Sequence, residues 1–250
     1  MSEYIPGIYN YCDRWCERCP MSSKCMLYAE DKSDDNSFND QSNFVFWQKI
    51  ENRLSKVMTM IKETIESQGY DWDTFLKEAR ETPEEVFNYT SKQRLLDFCG
   101  KKYSMIVKKL MDDYSQYFEV KASVLSPGIN FSRPSAAISE LQFSEAIEVV
   151  QWYKFFITAK LKRAIDGLHD DWSLKEFPIQ NDANGTAKIA LIAVDRSLVA
   201  WRTLYDLLPE MANEIIEALR LLSKIREELL EQFSDLNKFI RPGFDDHHPV

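Results

Sequence analysis

Glycine and proline are scarce in this chain, at seven and nine of 250 residues. So few breakers leave room for long regular elements, and no glycine-rich phosphate loop is present. Histidine is scarcer still, at three. A ferritin-type di-iron centre needs two Glu-x2-His pairs on bundle helices. No histidine here follows a glutamate at that spacing, and Asp166-x2-His169 only approximates it. No Ser-His-Asp or Cys-His order stands out. Asp245-Asp246-His247-His248 could hold a divalent ion weakly, although such a tail is more often disordered. No apolar run approaches the length of a membrane span. The N-terminus, Met1-Ser2-Glu3-Tyr4-Ile5-Pro6, lacks the basic and apolar regions of a secretory signal. Positive charge is in deficit, 31 Lys and Arg against 40 Asp and Glu. A net charge of −9 makes the chain a poor general binder of phosphate backbones, so neither nucleic acid nor membrane is the expected partner. The expected compartment is the cytoplasm, where structural disulfides are rare.

Cysteine is not abundant either, but it is concentrated. Four of the five cysteines lie between Cys12 and Cys25, in the order Cys-x3-Cys-x2-Cys-Pro-x4-Cys. In a reducing compartment this density points to metal ligation by Cys12, Cys16, Cys19 and Cys25. Offsets of four and three place Cys12, Cys16 and Cys19 on one stripe if the segment is helical. Pro20 would end that helix, and Met21-Ser22-Ser23 would bring Cys25 back from the other side. Arg14, Arg18 and Lys24 are interleaved with the thiols and favour the thiolate form that binds metal. Two metals compete. Zinc takes four thiolates in a tetrahedron. A 4Fe-4S cluster is also held by four cysteines, often with proline directly after one of them. The stretch from Cys16 to Cys25 resembles the half-motif of auxiliary iron–sulfur sites in radical-enzyme extensions and nuclease clasps. That likeness covers ten residues and bears on the metal alone.

The remainder reads as helices. An acidic stretch over 29–43 suggests a linker between a cysteine-rich module, 1–28, and a helical bundle, 44–240, with a flexible tail over 241–250. A helix is expected from Asn43 to Gln68 on the seam Phe46, Ile50, Leu54, Val57 and Ile61, closed by Gly69. A short helix follows from about Asp71 to Arg80, and Thr82-Pro83-Glu84-Glu85 reads as a further start signal. The next long segment runs from Ser91 to Phe118, with Leu95, Cys99, Ile106, Leu110 and Tyr117 inward; Cys99 is an ordinary buried thiol rather than a fifth ligand. After a loop over 121–138, a helix from Ser139 to Leu168 is apolar on two sides. Phe143, Ile147, Val150, Ile157, Leu161 and Ile165 form one; Val149, Trp152, Phe156, Lys160 and Arg163 form the other. Helices over Thr186 to Leu208 and from Pro209 to about Leu236, the latter with Met211, Ile215, Ala218, Leu222, Ile225, Leu229, Phe233 and Leu236 at alternating offsets of four and three, complete an all-α fold, a bundle of four to five long helices with an N-terminal four-cysteine metal-binding segment.

Three stretches together, Tyr11 to Pro20, Asp182 to Lys188 and Phe239 to Asp245, resemble a family of bacterial helical proteins to which no activity is assigned. The resemblance implies one coherent full-length unit and no mechanism. The sequence leaves three functional readings open. The first is an iron–sulfur or zinc centre with a structural or redox-sensing role. The second is an enzyme or binding protein with a small anionic ligand held in the bundle by Lys160, Arg163 and Asp195. The third is a zinc-stapled interaction module. For Lys160 and Arg163, simple snorkelling toward water competes with the second reading.

Overall fold

The computed structural model describes residues 4–33, 55, 58–81, 87–113 and 134–245. Among them the only regular structure is helical: α1 (Met26–Ser33), α2 (described over 58–67), α3 (Trp72–Glu81), α4 (Ser91–Asp113), α5 (Pro134–Gly167), α6 (Asp171–Glu176), α7 (Asp182–Leu207) and α8 (Ala212–Gln232). None of these helices is long and apolar enough to cross a membrane. By contacts the chain divides into two units, Met1–Cys25 with Asn88–Val250, and Met26–Phe87.

The larger unit is a ring of four long helices. α5 packs along α7 over the most extensive interface, α8 lies against α7 and α4, and α4 closes against α5. The α5–α7 contact is close because one side is small. Ala183, Ala187, Ala190 and Ala193 of α7 are buried, as are the larger Tyr153, Ile157, Leu161 and Ile165 of α5. Burying each large aliphatic side chain is worth about 1.5–3 kcal/mol, so this seam is a principal source of stability. The α8 seam follows the expected four-three rhythm, with Ile215, Ala218, Leu222, Ile225 and Leu229 buried. Inside the ring, the Trp201 indole N–H donates to the Tyr103 hydroxyl at 3.1 Å, satisfying both polar tips. Burial pushes the Tyr103 phenol up to about 12.

Local signals set the ends. Thr90 and Gln93 form a capping box at α4: the Gln93 N–H donates to Thr90 Oγ1 at 3.2 Å and the Thr90 N–H to Gln93 Oε1 at 2.8 Å. α5 begins at Pro134, where a fixed φ and a missing N–H cost nothing, earlier than the expected Ser139. α7 begins at Asp182 rather than Thr186, because the Asn181 side chain accepts from the Asn184 N–H at 2.8 Å and starts the helix early. The inward face of α4 matches the expected one at Cys99 and Leu110 and departs from it at Leu95 and Ile106. Leu96, Cys99, Tyr103, Val107 and Leu110 are buried, whereas Leu95 is exposed and Ile106 only partly buried. Tyr103 decides that face, since its ring fills the centre of the bundle.

In the smaller unit, α2 ends at Gly69, whose φ of 84° is the left-handed cap expected there. The Asp71 carboxylate starts α3 by accepting from the Thr74 N–H at 2.9 Å. Of the expected α2 seam, Ile61 is described and is 40% exposed; Phe46, Ile50, Leu54 and Val57 lie outside the described residues, as do Thr82 to Glu85, Tyr117 and the greater part of the 121–138 loop.

The expected division at residues 28, 43 and 240 differs from what is found. The cysteine segment packs within the bundle unit, α1 continues through the start of the expected linker, and 26–87 forms a unit of its own. The tail is folded through residue 245, where Arg241, Asp245 and Lys188 lock a turn; His247 and His248 lie outside the described residues.

Candidate metal centre and adjoining cleft

The cysteine segment is not the helix its spacing suggests. It is built from short 3-10 turns, Ile8–Asn10, Cys16–Arg18 and Ser22–Lys24, each held by a few turn hydrogen bonds. The helical stripe fails at Arg14. Its φ of 59° is left-handed, an uncommon conformation for a residue with a side chain. Next to it, Asp13 Oδ1 accepts from the Trp15 N–H at 3.2 Å and holds the reversal in place. Cys12 is therefore separated from Cys16 and Cys19 by a turn.

Asp13 also fastens the segment to the bundle. Its Oδ2 accepts from the Tyr153 hydroxyl at 2.7 Å and pairs with Arg196, and its carbonyl accepts from the Trp152 indole N–H at 3.0 Å. Trp15 is buried and stacks on Trp152, with ring centroids 4.9 Å apart. Arg18 lies over Trp15 and reaches Glu145 and Glu148 of α5. Burial and then the Asp13 hydrogen bond push the Tyr153 phenol well above its usual range. The side of α5 that carries Val149, Trp152, Phe156, Lys160 and Arg163 is thus the seat of the cysteine segment.

A second anchor lies one turn away. Tyr11 donates to Asp182 Oδ1 at 3.2 Å and meets Phe239 edge-on at 4.7 Å. Burial, then Asp182, pushes Tyr11 up to about 12. Gly185 makes this possible, because a Cβ there would fall 2.5 Å from both the Tyr11 and the Phe239 rings. Lys188 donates to the Phe239 carbonyl at 2.6 Å and pairs with Asp245 at 2.8 Å. The stretches 11–20, 182–188 and 239–245, far apart in sequence, meet here.

The four candidate ligands are free and half-buried, and Cys99 is a separate buried thiol in the core. Burial pushes the Cys16 thiol up, and Cys12, Glu17, Cys19 and Cys25 push the same way, so Cys16 lies within electrostatic reach of the other three thiols. Burial also raises Cys12, against a hydrogen bond from the Arg14 backbone N–H and the Arg14 charge. As placed, no three His, Cys, Asp or Glu side chains among the described residues stand close enough together to hold one ion. The donor set itself is four soft thiols with no disulfide among them, the chemistry that zinc and iron–sulfur clusters take.

No protein-family model, curated protein or solved structure matches the chain. The site is accordingly read from its own residues.

Lys160, Arg163 and Asp195 do not come together. Arg163 pairs with Asp182, its Nε donating at 2.8 Å, while Asp195 pairs across the helix interface with Arg226 of α8 at 2.8 Å, both side chains about half exposed. Asp195 is on the α8-facing side of α7 and cannot reach α5. Lys160 lies over the Phe156 ring at 5.3 Å and has no carboxylate partner among the described residues. Burial lowers its pKa, as do Arg163 and Arg14, while Cys12 and the Asp182 carboxylate raise it. Arg14 likewise has no carboxylate partner among the described residues; its guanidinium lies 6.0 Å from the Tyr9 ring centre.

Beside the thiols is a cleft of about 580 Å3. Cys12, Cys19, Trp15 and Arg18 line it from the cysteine segment, Ile192, Arg196 and Val199 from α7, and Arg241 and Phe244 from the C-terminal turn. Sequence reasoning missed this cleft and the role of Asp13. Both depend on contacts across more than a hundred residues, and the one local sign was an aspartate beside a candidate ligand.

Proposed function

We propose that this chain is a metal-binding helical protein in which Cys12, Cys16, Cys19 and Cys25 hold one zinc ion or one 4Fe-4S cluster. The observation that carries the reading is a charge imbalance. Half-buried Lys160 and the exposed Arg14, two cations without carboxylate ion pairs among the described residues, both lie within electrostatic reach of the half-buried Cys12. Leaving a partly desolvated ammonium unpaired is costly. A centre of four thiolates around zinc or an iron–sulfur cluster carries net negative charge and would offset that cost. When bound, zinc would supply a structural cross-link, and a cluster would add one-electron redox chemistry. The protein's own part is to hold the segment on α5 through Asp13 and Trp15, to shield the thiols with the Trp15–Trp152 pair, and to supply the balancing cations. The role is structural or redox-sensing.

The test is metal analysis with an absorption spectrum on protein purified without air. Stoichiometric zinc or iron is expected, with brown colour for iron, and Cys19→Ser should remove most of it. Full metal content in a variant with all four cysteines changed to serine would overturn the proposal.

A further inference from the structure

The cleft beside the thiols falls inside the size range of small-molecule sites, which runs from roughly 300 to 1,000 Å3. Its lining is mixed in a particular way. Ile192, Val199 and Phe244 give it an apolar wall, and Val199 is 68% exposed, an aliphatic side chain left open to water. Arg196 faces the same space. Its Nη1 is taken up by Asp13 and Tyr153, while its Nε and Nη2 make no hydrogen bond among the described residues. Half the guanidinium fork is therefore held rigid and the other half is free. A fork fixed from behind suits the bidentate capture of a planar or tetrahedral oxyanion. Arg18 adds a second cation, and its pairs with Glu145 and Glu148 are exposed enough to be weak and exchangeable.

We propose that the cleft binds a small organic anion, an apolar body ending in a carboxylate or phosphate, with Arg196 taking the acidic group and the α7 wall taking the apolar part. This goes beyond the metal reading and does not depend on it, since the walls and Arg196 are in place without any metal. Because Cys12 and Cys19 share the lining, a bound anion would lie next to the candidate centre.

Trp15 lines the cleft and is stacked on Trp152, so tryptophan fluorescence of the full chain reports occupancy. Titration with octanoate, octyl phosphate and neutral 1-octanol provides the test. At least one of the two anions should bind saturably, and octanol should bind more than about tenfold more weakly, the worth of a charge-assisted hydrogen bond. Whichever anion binds tighter tells a carboxylate ligand from a phosphate one. Arg196→Gln should weaken anion binding by about tenfold or more. That variant also releases Asp13, so Val199→Trp, which fills the cleft from an exposed position, serves as the second variant and should weaken binding equally. Absence of saturable binding, octanol binding as tightly as the anions, or binding unchanged in either variant would overturn the proposal.

Discussion

Asp13 carries more of this structure than any other single residue of the cysteine segment. Its two oxygens serve three donors, the Trp15 backbone, the Tyr153 hydroxyl and Arg196, and its carbonyl takes a fourth from Trp152. Its side chain is 18% exposed, so these bonds are sheltered from water. Removing the carboxylate leaves a buried phenol without its acceptor and a guanidinium without its counter-charge. Leaving such groups unsatisfied costs more than the net worth of the bonds. Asp13→Ala should therefore lower unfolding stability by about 2–3 kcal/mol, read from the denaturant midpoint at constant slope. An unchanged midpoint would show that the segment is not fastened through this residue. Beyond its place next to Cys12, nothing in the sequence around Asp13 distinguishes it from a solvated aspartate, because Tyr153 and Arg196 lie 140 and 183 positions away.

At the scale of elements, legibility followed periodicity. The α8 seam and the buried side of α5 could be read because their apolar residues recur at helical offsets and need no knowledge of the partner. The second side of α5 could be recognised as apolar, but not as the platform for the cysteine segment. The cysteine spacing mimics a helix, yet the left-handed Arg14 and the Asp13 turn break it. On α4, Cys99 and Leu110 were read correctly as inward, whereas Leu95 and Ile106 give way to their neighbours Leu96 and Val107 around the wholly buried Tyr103. Charges were the least legible of all. Asp195 was a candidate for an anion site with Lys160 and Arg163, with a solvated, ion-paired face as the competing reading, and it pairs with Arg226 near the surface. Exposed pairs are worth about 0–1 kcal/mol, so Asp195→Ala should move the denaturant midpoint little. A loss of several kcal/mol would put this carboxylate in a buried network after all.

The C-terminal turn gives a prediction at the same scale. Burial alone would raise the Asp245 carboxyl, but hydrogen bonds from Arg241 and Lys188 outweigh it and hold the value at about 2, below the ordinary 3.8. A depressed carboxylate stabilises the fold fully above its unfolded value and loses that contribution as pH falls toward the folded one. The stability difference between wild type and Asp245→Asn, up to about 2 kcal/mol at neutral pH, should therefore shrink between pH 4 and pH 2. A difference that stays constant over that window would mean the turn does not hold the charge.

For the whole molecule, the chief finding is that the cysteine segment belongs to the bundle unit and is not a module on a tether. Trp15 is part of the main hydrophobic core. The segment touches α5 and α7, whereas the α8 seam from Ile215 to Leu229 is buried on its own account. If metal orders the segment, stripping it should raise hydrogen exchange across residues 4–25 and also around Tyr153 and Asp182 to Ile189. Protection in α8 should persist. Loss confined to residues 4–25 would make the anchors at Asp13 and Tyr11 energetically idle. The central claim, that the four thiolates hold one zinc ion or one 4Fe-4S cluster, is tested most directly by X-ray absorption at the edge of whichever metal the purified protein contains. The account predicts a first shell of sulfur alone, with four scatterers at about 2.3 Å from each metal atom. A first shell dominated by nitrogen or oxygen would contradict it.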